Sequence, residues 1–217
     1  MKATEKDNKI TVYLSKEDIK FLDTVRKCYN KFSGIFKEFG YDTVKDNFRY
    51  KAIPSSTSSL IYLLYYFSKK NRSFFDVGAG KGNMIALADI LGFKKTGGVE
   101  LSSTKDLNID FFHSFTYFEK NVFELTNKIP GSTTDFFFDL IYMYRPMIQE
   151  EDLKNMLNHM LSITKPGTIF ICNYFLPDPR EFGKKLTEKE IFFKTKNSLN
   201  QTLTEFTIGY SHYYISN

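Results

Sequence analysis

Cysteines and long apolar runs are scarce in this sequence. Its 217 residues include two cysteines, Cys28 and Cys172, which lie far apart and fit neither a CxxC nor a metal-ligand spacing. No metal site is therefore predicted, and a reducing, cytoplasmic compartment is expected. Residues 1–9 are charged rather than apolar, and the longest apolar run, residues 60–67, is far shorter than a membrane span. We expect neither secretion nor membrane insertion.

Charge of one sign is not concentrated in any one stretch of the chain. The net charge is +5, and the basic residues are interspersed with carboxylates. This balance permits an anionic partner without requiring one. Nucleic acid is therefore a candidate partner that the sequence does not indicate, because neither a clustered basic footprint nor an RNA-binding module is evident. The sequence predicts no oligomeric state.

The hydrophobic pattern predicts a single domain in which strands and helices alternate. Hydrophobic residues make up 42% of the chain and aromatic residues 17%, which is ample for a large core. A chain of this length suits one α/β domain. Helices are predicted at residues 15–40, 60–68, 84–91, 104–114 and 150–164, and strands at 74–77, 96–100, 116–121, 136–144 and 168–174. A closing hairpin is predicted from residues 191–194 and 205–215, with the polar segment 195–204 between them.

A glycine-rich loop connects the first predicted strand of this series to the helix that follows it. The run DVGAGKG occupies residues 76–82. Glycines in such a turn let the backbone bend sharply and approach a ligand closely. A dinucleotide site would favour GxGxxG, which requires glycine where this chain has Asn83. The spacing found here is DxGxGxG instead.

This motif resembles the first motif of class I S-adenosylmethionine (SAM)-dependent methyltransferases, and the resemblance extends from about residue 54 to residue 173. It implies an α/β fold with a Rossmann-like sheet of seven strands in the order 3-2-1-4-5-7-6, flanked by helices. The methyltransferase domain would occupy residues 54–217 as a single compact unit. Residues 1–53 would form an N-terminal helical extension that caps the active site.

The resemblance also implies which residues bind SAM as the cofactor. Glu100 ends the second strand, where the family has an acid that accepts both ribose hydroxyls. Asn121 ends the third predicted strand, where the family commonly has an aspartate that binds the adenine amino group. Val122 and Phe123 either enclose the adenine ring or belong to the core. The full set of predicted cofactor contacts is Ser56, Thr57, Asp76, Gly78, Ala79, Gly80, Gly82, Glu100, Leu101, Asn121, Val122 and Tyr142.

Residues near the methyl acceptor are expected just beyond the fourth strand of this sheet. Tyr144 and Arg145 occupy this position. A cation beside a cationic sulfonium is repelled unless it turns toward an anion. Arg145 therefore either holds an anionic group of the substrate or pairs with Glu150 or Glu151. Tyr144 either orients the acceptor or packs in the core, and Ser56 and Thr57 either bind the SAM carboxylate or cap a helix.

Several functions remain open at this level. The segment Tyr50-Lys51-Ala52-Ile53 and the Pro/Ser/Thr run after it resemble small protein lysine methyltransferases, including those that act on a subunit of the mitochondrial ATP synthase. We therefore expect methyl transfer to nitrogen or oxygen of a protein side chain or a small molecule. The alternatives are a SAM-binding partner subunit without catalysis, an RNA methyltransferase and an oxidoreductase of the NAD type.

Overall fold

The structure is a computed structural model that describes residues 1–38, 57–80, 82–100, 115–127, 138–144, 150–173, 178–182, 186–199 and 202–217. Its helices are α1 (Lys16–Glu38), α2 (Thr57–Ser68), α3 (Asn83–Ile90), α4 (Glu150–Ile163) and the single turn α5 (Pro179–Phe182). Its strands are β1 (Lys2–Lys6), β2 (Lys9–Leu14), β3 (Ser73–Val77), β4 (Lys95–Glu100), β5 (Phe115–Glu119), β6 (Leu140–Tyr144), β7 (Ile169–Asn173), β8 (Leu186–Leu199) and β9 (Thr202–Ser216). A short 3-10 helix covers Val122–Glu124.

The chain forms two compact units. Unit 1 comprises Met1–Tyr66 and Ile191–Ser211, and unit 2 comprises Phe67–Glu190 and His212–Asn217. The strands β8 and β9 therefore contribute residues to both units. The predicted domain boundary between residues 53 and 54 lies outside the described residues, so that division stays a prediction.

Unit 2 contains a mostly parallel sheet, which confirms the predicted α/β class. Its strands follow the order β9-β7-β6-β3-β4-β5. The pairs β3–β4, β3–β6, β4–β5 and β6–β7 are parallel, and β9 pairs antiparallel with β7. The predicted count of seven strands is not confirmed, because the described residues contain nine.

The core of unit 2 explains why these strands lie at the centre of the sheet. All five residues of β3 are buried, as expected for a parallel strand that is covered on both faces. Phe75, at the middle of β3, packs on Phe138 with ring centroids 4.8 Å apart. The helix α4 contributes its apolar stripe to the same cluster, through Leu153, Met156, Leu157 and Met160. Burial of this stripe requires α4 to pack on the sheet.

Unit 1 begins with a β-hairpin that the sequence analysis did not predict. The strands β1 and β2 are antiparallel, and the two residues between them, Asp7 and Asn8, both have positive φ. Positive φ at both central positions is typical of the tight turns that suit the twist of a hairpin. The N-terminal extension is therefore not purely helical, which corrects the expectation for residues 1–53.

The helix α1 begins where the sequence predicts, because Ser15 caps its first turn. The hydroxyl of Ser15 accepts a hydrogen bond from the Asp18 N–H at 3.1 Å, and the Asp18 carboxylate accepts one from the Ser15 N–H at 2.9 Å. This reciprocal pair satisfies two backbone donors at the start of the helix. The Tyr65 hydroxyl donates to the other Asp18 oxygen at 2.6 Å and so joins α2 to α1.

The strands near the C-terminus are longer than predicted. β8 contains 14 residues and β9 contains 15, so most of the polar segment 195–204 is strand rather than loop. Burial alternates along β8, where Ile191, Phe193 and Thr195 point inward. A strand with alternating burial has polar residues on its exposed face, so it is difficult to recognise from hydrophobicity in the sequence. Only residues 200 and 201 separate the strands, which permits an antiparallel hairpin and excludes a parallel crossover.

The remaining predicted elements agree only partly with the structure. The third predicted strand, residues 116–121, is observed as β5 and ends earlier, at Glu119. The fourth, residues 136–144, is observed as β6 from Leu140 onward. The predicted helix at residues 104–114 lies outside the described residues. Among the described helices, none combines the length and apolar character needed to span a membrane.

Asp139 connects the starts of the central strands. Its carboxylate accepts the N–H of Ser73 at 3.0 Å and the Ser73 hydroxyl at 2.8 Å, and it lies 3.2 Å from Lys165 Nζ. Burial alone would raise the pKa of Asp139, but the hydrogen bonds from Ser73 and the contact with Lys165 lower it overall. The folded state therefore gains stability from the ionised carboxylate. That gain is present above the ordinary pKa of about 4 and is lost as the pH falls further.

We expect Asp139→Asn to lower the free energy of unfolding at neutral pH by about 1 to 3 kcal/mol, because charge-assisted hydrogen bonds are lost. Urea unfolding at about pH 7 and about pH 3 measures the effect. The difference from the wild-type protein should shrink at the lower pH, where Asp139 itself becomes protonated. An equal difference at both pH values would contradict the ionised state.

Candidate functional site

The loop between β3 and α3 adopts a conformation that depends on its glycines. Gly78, Gly80 and Gly82 have φ values of 75°, 52° and 80°. Side chains with a Cβ rarely adopt this left-handed region, so the positions favour glycine. The sequence motif thus encodes a specific path of the backbone.

Backbone hydrogen bonds attach this loop to the end of β4. The N–H groups of Gly78 and Ala79 both donate to the carbonyl of Val99, at 2.9 and 3.0 Å. The Gly82 N–H donates to the Ala79 carbonyl at 2.8 Å, and the Gly82 carbonyl accepts the Ala86 N–H at 2.8 Å. The loop is therefore a compact turn that leads directly into α3.

Glu100 is the last residue of β4, and its side chain reaches the same loop. One carboxylate oxygen, Oε2, accepts a hydrogen bond from the Gly80 N–H at 2.8 Å. The two partners are 20 residues apart in the chain. They meet because β3 and β4 are parallel neighbours whose carboxyl ends lie at one edge of the sheet. The structure thus brings Glu100 and the glycine loop together, as their order in the sequence suggested.

Asp76 lies beneath this loop with only 3% of its surface exposed. Burial, followed by the negative charge of Glu100, raises the pKa of Asp76 to about 8. At neutral pH the folded protein therefore favours the uncharged carboxylic acid, which donates a hydrogen bond as well as accepting one. The site then carries the negative charge of Glu100 without a second buried charge beside it.

Gly98 is a residue of this site that the sequence analysis missed. A Cβ at this position would lie 2.8 Å from both Ala79 Cβ and Ile85 Cδ1, and 2.9 Å from the Asp76 carbonyl oxygen. Only glycine allows the loop and α3 to lie this close to β4. The signal was present in the sequence, because glycine inside a strand often marks a close approach of other backbone.

Asn83 opens α3 and is the residue at which the loop departs from GxGxxG. Its Oδ1 atom is buried and, in the part of the chain that the structure describes, has no hydrogen-bond partner. A buried unpaired oxygen is uncommon in folded proteins. Asn83 is therefore a further candidate site residue, at the start of α3.

Asn121 does not end a strand, which corrects the prediction. It follows β5 by two residues and caps the 3-10 helix, where its Oδ1 accepts the Phe123 N–H at 3.1 Å. Val122 is 6% exposed and belongs to the core cluster. Phe123 is 42% exposed, and its ring meets the edge of His159 at 5.6 Å. Burial therefore favours the core alternative for Val122, whereas Phe123 lies at the surface.

The two tyrosines of β6 differ in their surroundings. Tyr142 is 1% exposed and stacks on Phe74 with ring centroids 6.2 Å apart, so its ring is part of the core. Tyr144 ends the strand and is partly exposed. Ser56, Leu101 and Arg145 lie outside the described residues, as does the side chain of Thr57, the first residue of α2. Their predicted contacts stay predictions.

We expect the free energy of unfolding to decrease as the pH rises from about 4 to about 8, because of Asp76. A carboxyl group whose pKa is raised on folding must bind a proton when the chain folds, which costs about 1.4 kcal/mol more per pH unit in this window. Asp76→Asn removes the titrating group. The free energy of unfolding of this variant, relative to that of wild type, should therefore increase as the pH rises from about 5 to about 7.

Urea unfolding of both proteins at these pH values provides the measurement. Asp139→Asn is the matched control, because Asp139 stays ionised in both states over this range and its difference from wild type should be constant. A constant difference for Asp76→Asn as well would mean that Asp76 is ionised in the folded protein.

Comparison with known proteins finds similarity in structure but not in sequence. No family model matches the chain, and no curated protein matches it. A proposed RNA methyltransferase from Pyrococcus horikoshii aligns with a TM-score of 0.53 at 20% identity, covering 82% of this chain and 91% of that one. The N-methyltransferase NodS of Bradyrhizobium japonicum aligns at 0.49 and 9% identity, covering 76% and 98%. A proposed O-methyltransferase from Klebsiella pneumoniae aligns at 0.48 and 14% identity, covering 91% and 90%. The chain has the Rossmann-like fold of class I methyltransferases.

Proposed function

We propose that this protein is a SAM-dependent methyltransferase. The observation that carries the proposal is the contact between the Glu100 carboxylate and the Gly80 N–H, which joins an acid at the end of β4 to a DxGxGxG loop at the end of β3. In α/β sheets, ligands bind in the crevice at the carboxyl ends of parallel strands. These groups fit an adenosyl amino acid, because glycines let a ligand approach the loop backbone closely and the acid suits a vicinal diol.

The site residues take the following roles in this proposal. The backbone of residues 78–82 faces the amino-acid portion of SAM, and Glu100 accepts the ribose hydroxyls. A carboxylate has about four acceptor positions, so Glu100 can keep the Gly80 N–H and still bind a diol. Asn121 faces the adenine. The other proposed cofactor contacts are Ser56, Thr57, Asp76, Ala79, Leu101, Val122 and Tyr142.

The chain's contribution to catalysis is mainly alignment. SAM supplies an electrophilic methyl group on a sulfonium, and transfer requires the acceptor atom, methyl carbon and sulfur to lie in line. Tyr144, at the carboxyl end of β6, and Arg145 lie near the acceptor in this proposal. The acceptor is nitrogen or oxygen of a protein side chain or a small molecule. Few other catalytic groups are required, because the acceptor only needs to lose a proton.

The proposal also includes the strand order of the sheet and the location of the protein in the cell. In this proposal, seven of the nine described strands take the methyltransferase order 3-2-1-4-5-7-6. The observed order of neighbouring strands, β5-β4-β3-β6-β7-β9-β8, supports this assignment. The protein works in the cytoplasm in this proposal. A SAM-binding subunit without catalysis and an RNA methyltransferase are the alternatives. An NAD-type oxidoreductase is disfavoured by the absence of GxGxxG.

We expect isothermal titration calorimetry to detect binding of SAM and S-adenosylhomocysteine but not of NAD. Glu100→Gln should weaken both affinities by about tenfold or more, because charge-assisted hydrogen bonds to the ribose are lost. Glutamine still offers an oxygen to the Gly80 N–H, so the loop should remain in place. Glu151→Gln is the matched control, because the Glu151 side chain is exposed on α4, and this variant should bind like wild type.

Incubation of the protein with methyl-labelled SAM and a cell extract separates an enzyme from a binding subunit. Label in a protein, small-molecule or RNA fraction identifies the acceptor class. Binding of SAM without any transfer would favour the subunit, and binding of NAD in place of SAM would overturn the proposal.

A further inference from the structure

The outward face of unit 1 carries a concentration of lysines that is not apparent in the sequence. The basic face, as we define it, consists of Lys2, Lys6, Lys9, Tyr13, Lys194 and Lys196. These residues come from β1, β2 and β8. Their separation along the chain explains why no basic cluster appears in the sequence.

Strand register places the N-terminal members of the basic face together. The antiparallel pairs Lys2–Tyr13 and Lys6–Lys9 are directly opposite, with the pair Thr4–Thr11 between them. Opposite residues of an antiparallel pair point to the same face, and so do alternate residues of a strand. The other face of β2 is buried, through Ile10, Val12 and Leu14. Lys2, Lys6 and Lys9 therefore face outward on one surface with Tyr13.

Contacts of Tyr13 extend this surface to β8. The Lys196 ammonium lies over the Tyr13 ring, 5.2 Å from its centroid. Lys196 and Lys194 lie 3.2 and 3.7 Å from the carboxylate of Glu205, and the Tyr13 hydroxyl donates to the same carboxylate at 3.2 Å. Five lysines thus share one face of the sheet, with Glu205 as an exposed counter-charge.

The hairpin end of the basic face contains a shallow depression. It has a volume of about 380 Å³ and is lined by Thr4, Lys6, Asp7, Lys9 and Thr11. Ammonium and hydroxyl groups are donors for phosphate oxygens. Asp7 is acidic, whereas the other four lining residues offer hydrogen-bond donors.

We propose that the basic face binds single-stranded nucleic acid through its phosphates. This inference is independent of the proposed methyl transfer. Grooves that follow a single strand combine positive charge with aromatic side chains, and this face has lysines around Tyr13. A protein partner fits less well because lysine is depleted in protein interfaces. A membrane surface fits less well because Lys, Thr and Tyr at the hairpin provide no aliphatic anchor.

The contacts that now cover Tyr13 are weak enough to be exchanged. Lys196 is half exposed and Glu205 is 38% exposed, so their ion pair contributes little in water. A cation over an exposed ring is also a weaker partner than a stacked base. A bound strand therefore takes Lys196 onto a phosphate and places a base on the Tyr13 ring.

Fluorescence anisotropy with a labelled oligouridine and an oligothymidine of about 20 nucleotides tests the inference. The wild-type protein should bind both at about 50 mM salt, with affinity that falls as salt increases. The double variant Lys6→Glu, Lys9→Glu should weaken binding by roughly tenfold or more, and its salt dependence should be shallower by about 0.7 for each phosphate that the variant no longer neutralises. Lys6→Gln, Lys9→Gln should show a smaller loss in the same direction.

The matched control is Lys69→Glu, Lys70→Glu, which changes the net charge equally at an exposed turn of unit 2. It should change affinity by less than about twofold. Tyr13→Phe should bind like wild type, whereas Tyr13→Ala should weaken binding by about fivefold or more because a base can no longer stack there. Circular dichroism and melting curves establish that each variant is folded.

Three results would overturn the inference. The first is a wild-type protein that binds neither oligonucleotide at low salt. The second is an equal loss for the two double glutamate variants, which would mean that overall charge alone matters. The third is tighter binding to phosphatidylserine vesicles or to polyglutamate, which would assign the face to a membrane or to an acidic protein.

Discussion

The hydrogen bond between the Gly80 N–H and the Glu100 carboxylate is the interaction on which the candidate site depends. Together with the backbone hydrogen bonds from the loop to the carbonyl of Val99, it attaches the loop after β3 to the end of β4. The absence of a side chain at Gly98 is a precondition, because a Cβ there would collide with Ala79 and Ile85. One strand thus supplies the acid, the carbonyl of Val99 and the space that the loop requires.

The same arrangement has an electrostatic consequence. Asp76 and Glu100 lie close enough that the charge of Glu100 adds to the effect of burial on Asp76. Ionising both would place a second negative charge in a site that water hardly reaches, which is costly. We therefore expect Asp76 to be protonated near neutral pH, because burial and the neighbouring Glu100 both raise its pKa. A cationic ligand would then meet one defined carboxylate.

The sequence predicted those features that follow from local patterns. The apolar strands β3 and β7, the stripe of α4 and the glycine loop each have a distinctive period or composition, and the structure contains them. The hairpin at residues 1–14 was missed because β1 is exposed along its whole length, so only Ile10, Val12 and Leu14 signalled a strand. The alternation of apolar and polar residues covers only β2, which is too short to identify a strand among charged residues.

Other features could not be predicted because they depend on which strands are neighbours. The pKa of Asp76 depends on its distance from Glu100, and the burial of Val122 depends on packing against α4. The cap formed by Asn121 is local, yet an asparagine just after an apolar run also fits the end of a strand. Sequence order alone did not distinguish these alternatives.

The distribution of charge in unit 1 is not explained by protection of the sheet edge alone. Among the described strands, β1 stands at the end of the order β1-β2-β8-β9, and charged residues on an edge strand prevent pairing with other chains. This accounts for Lys2 and Lys6. It does not account for Lys9, Lys194 and Lys196, because β2 and β8 have neighbours on both sides and no open edge to protect. Lys194 and Lys196 pair with Glu205 on this face, and contact with an anionic partner is the role that we propose for the face as a whole.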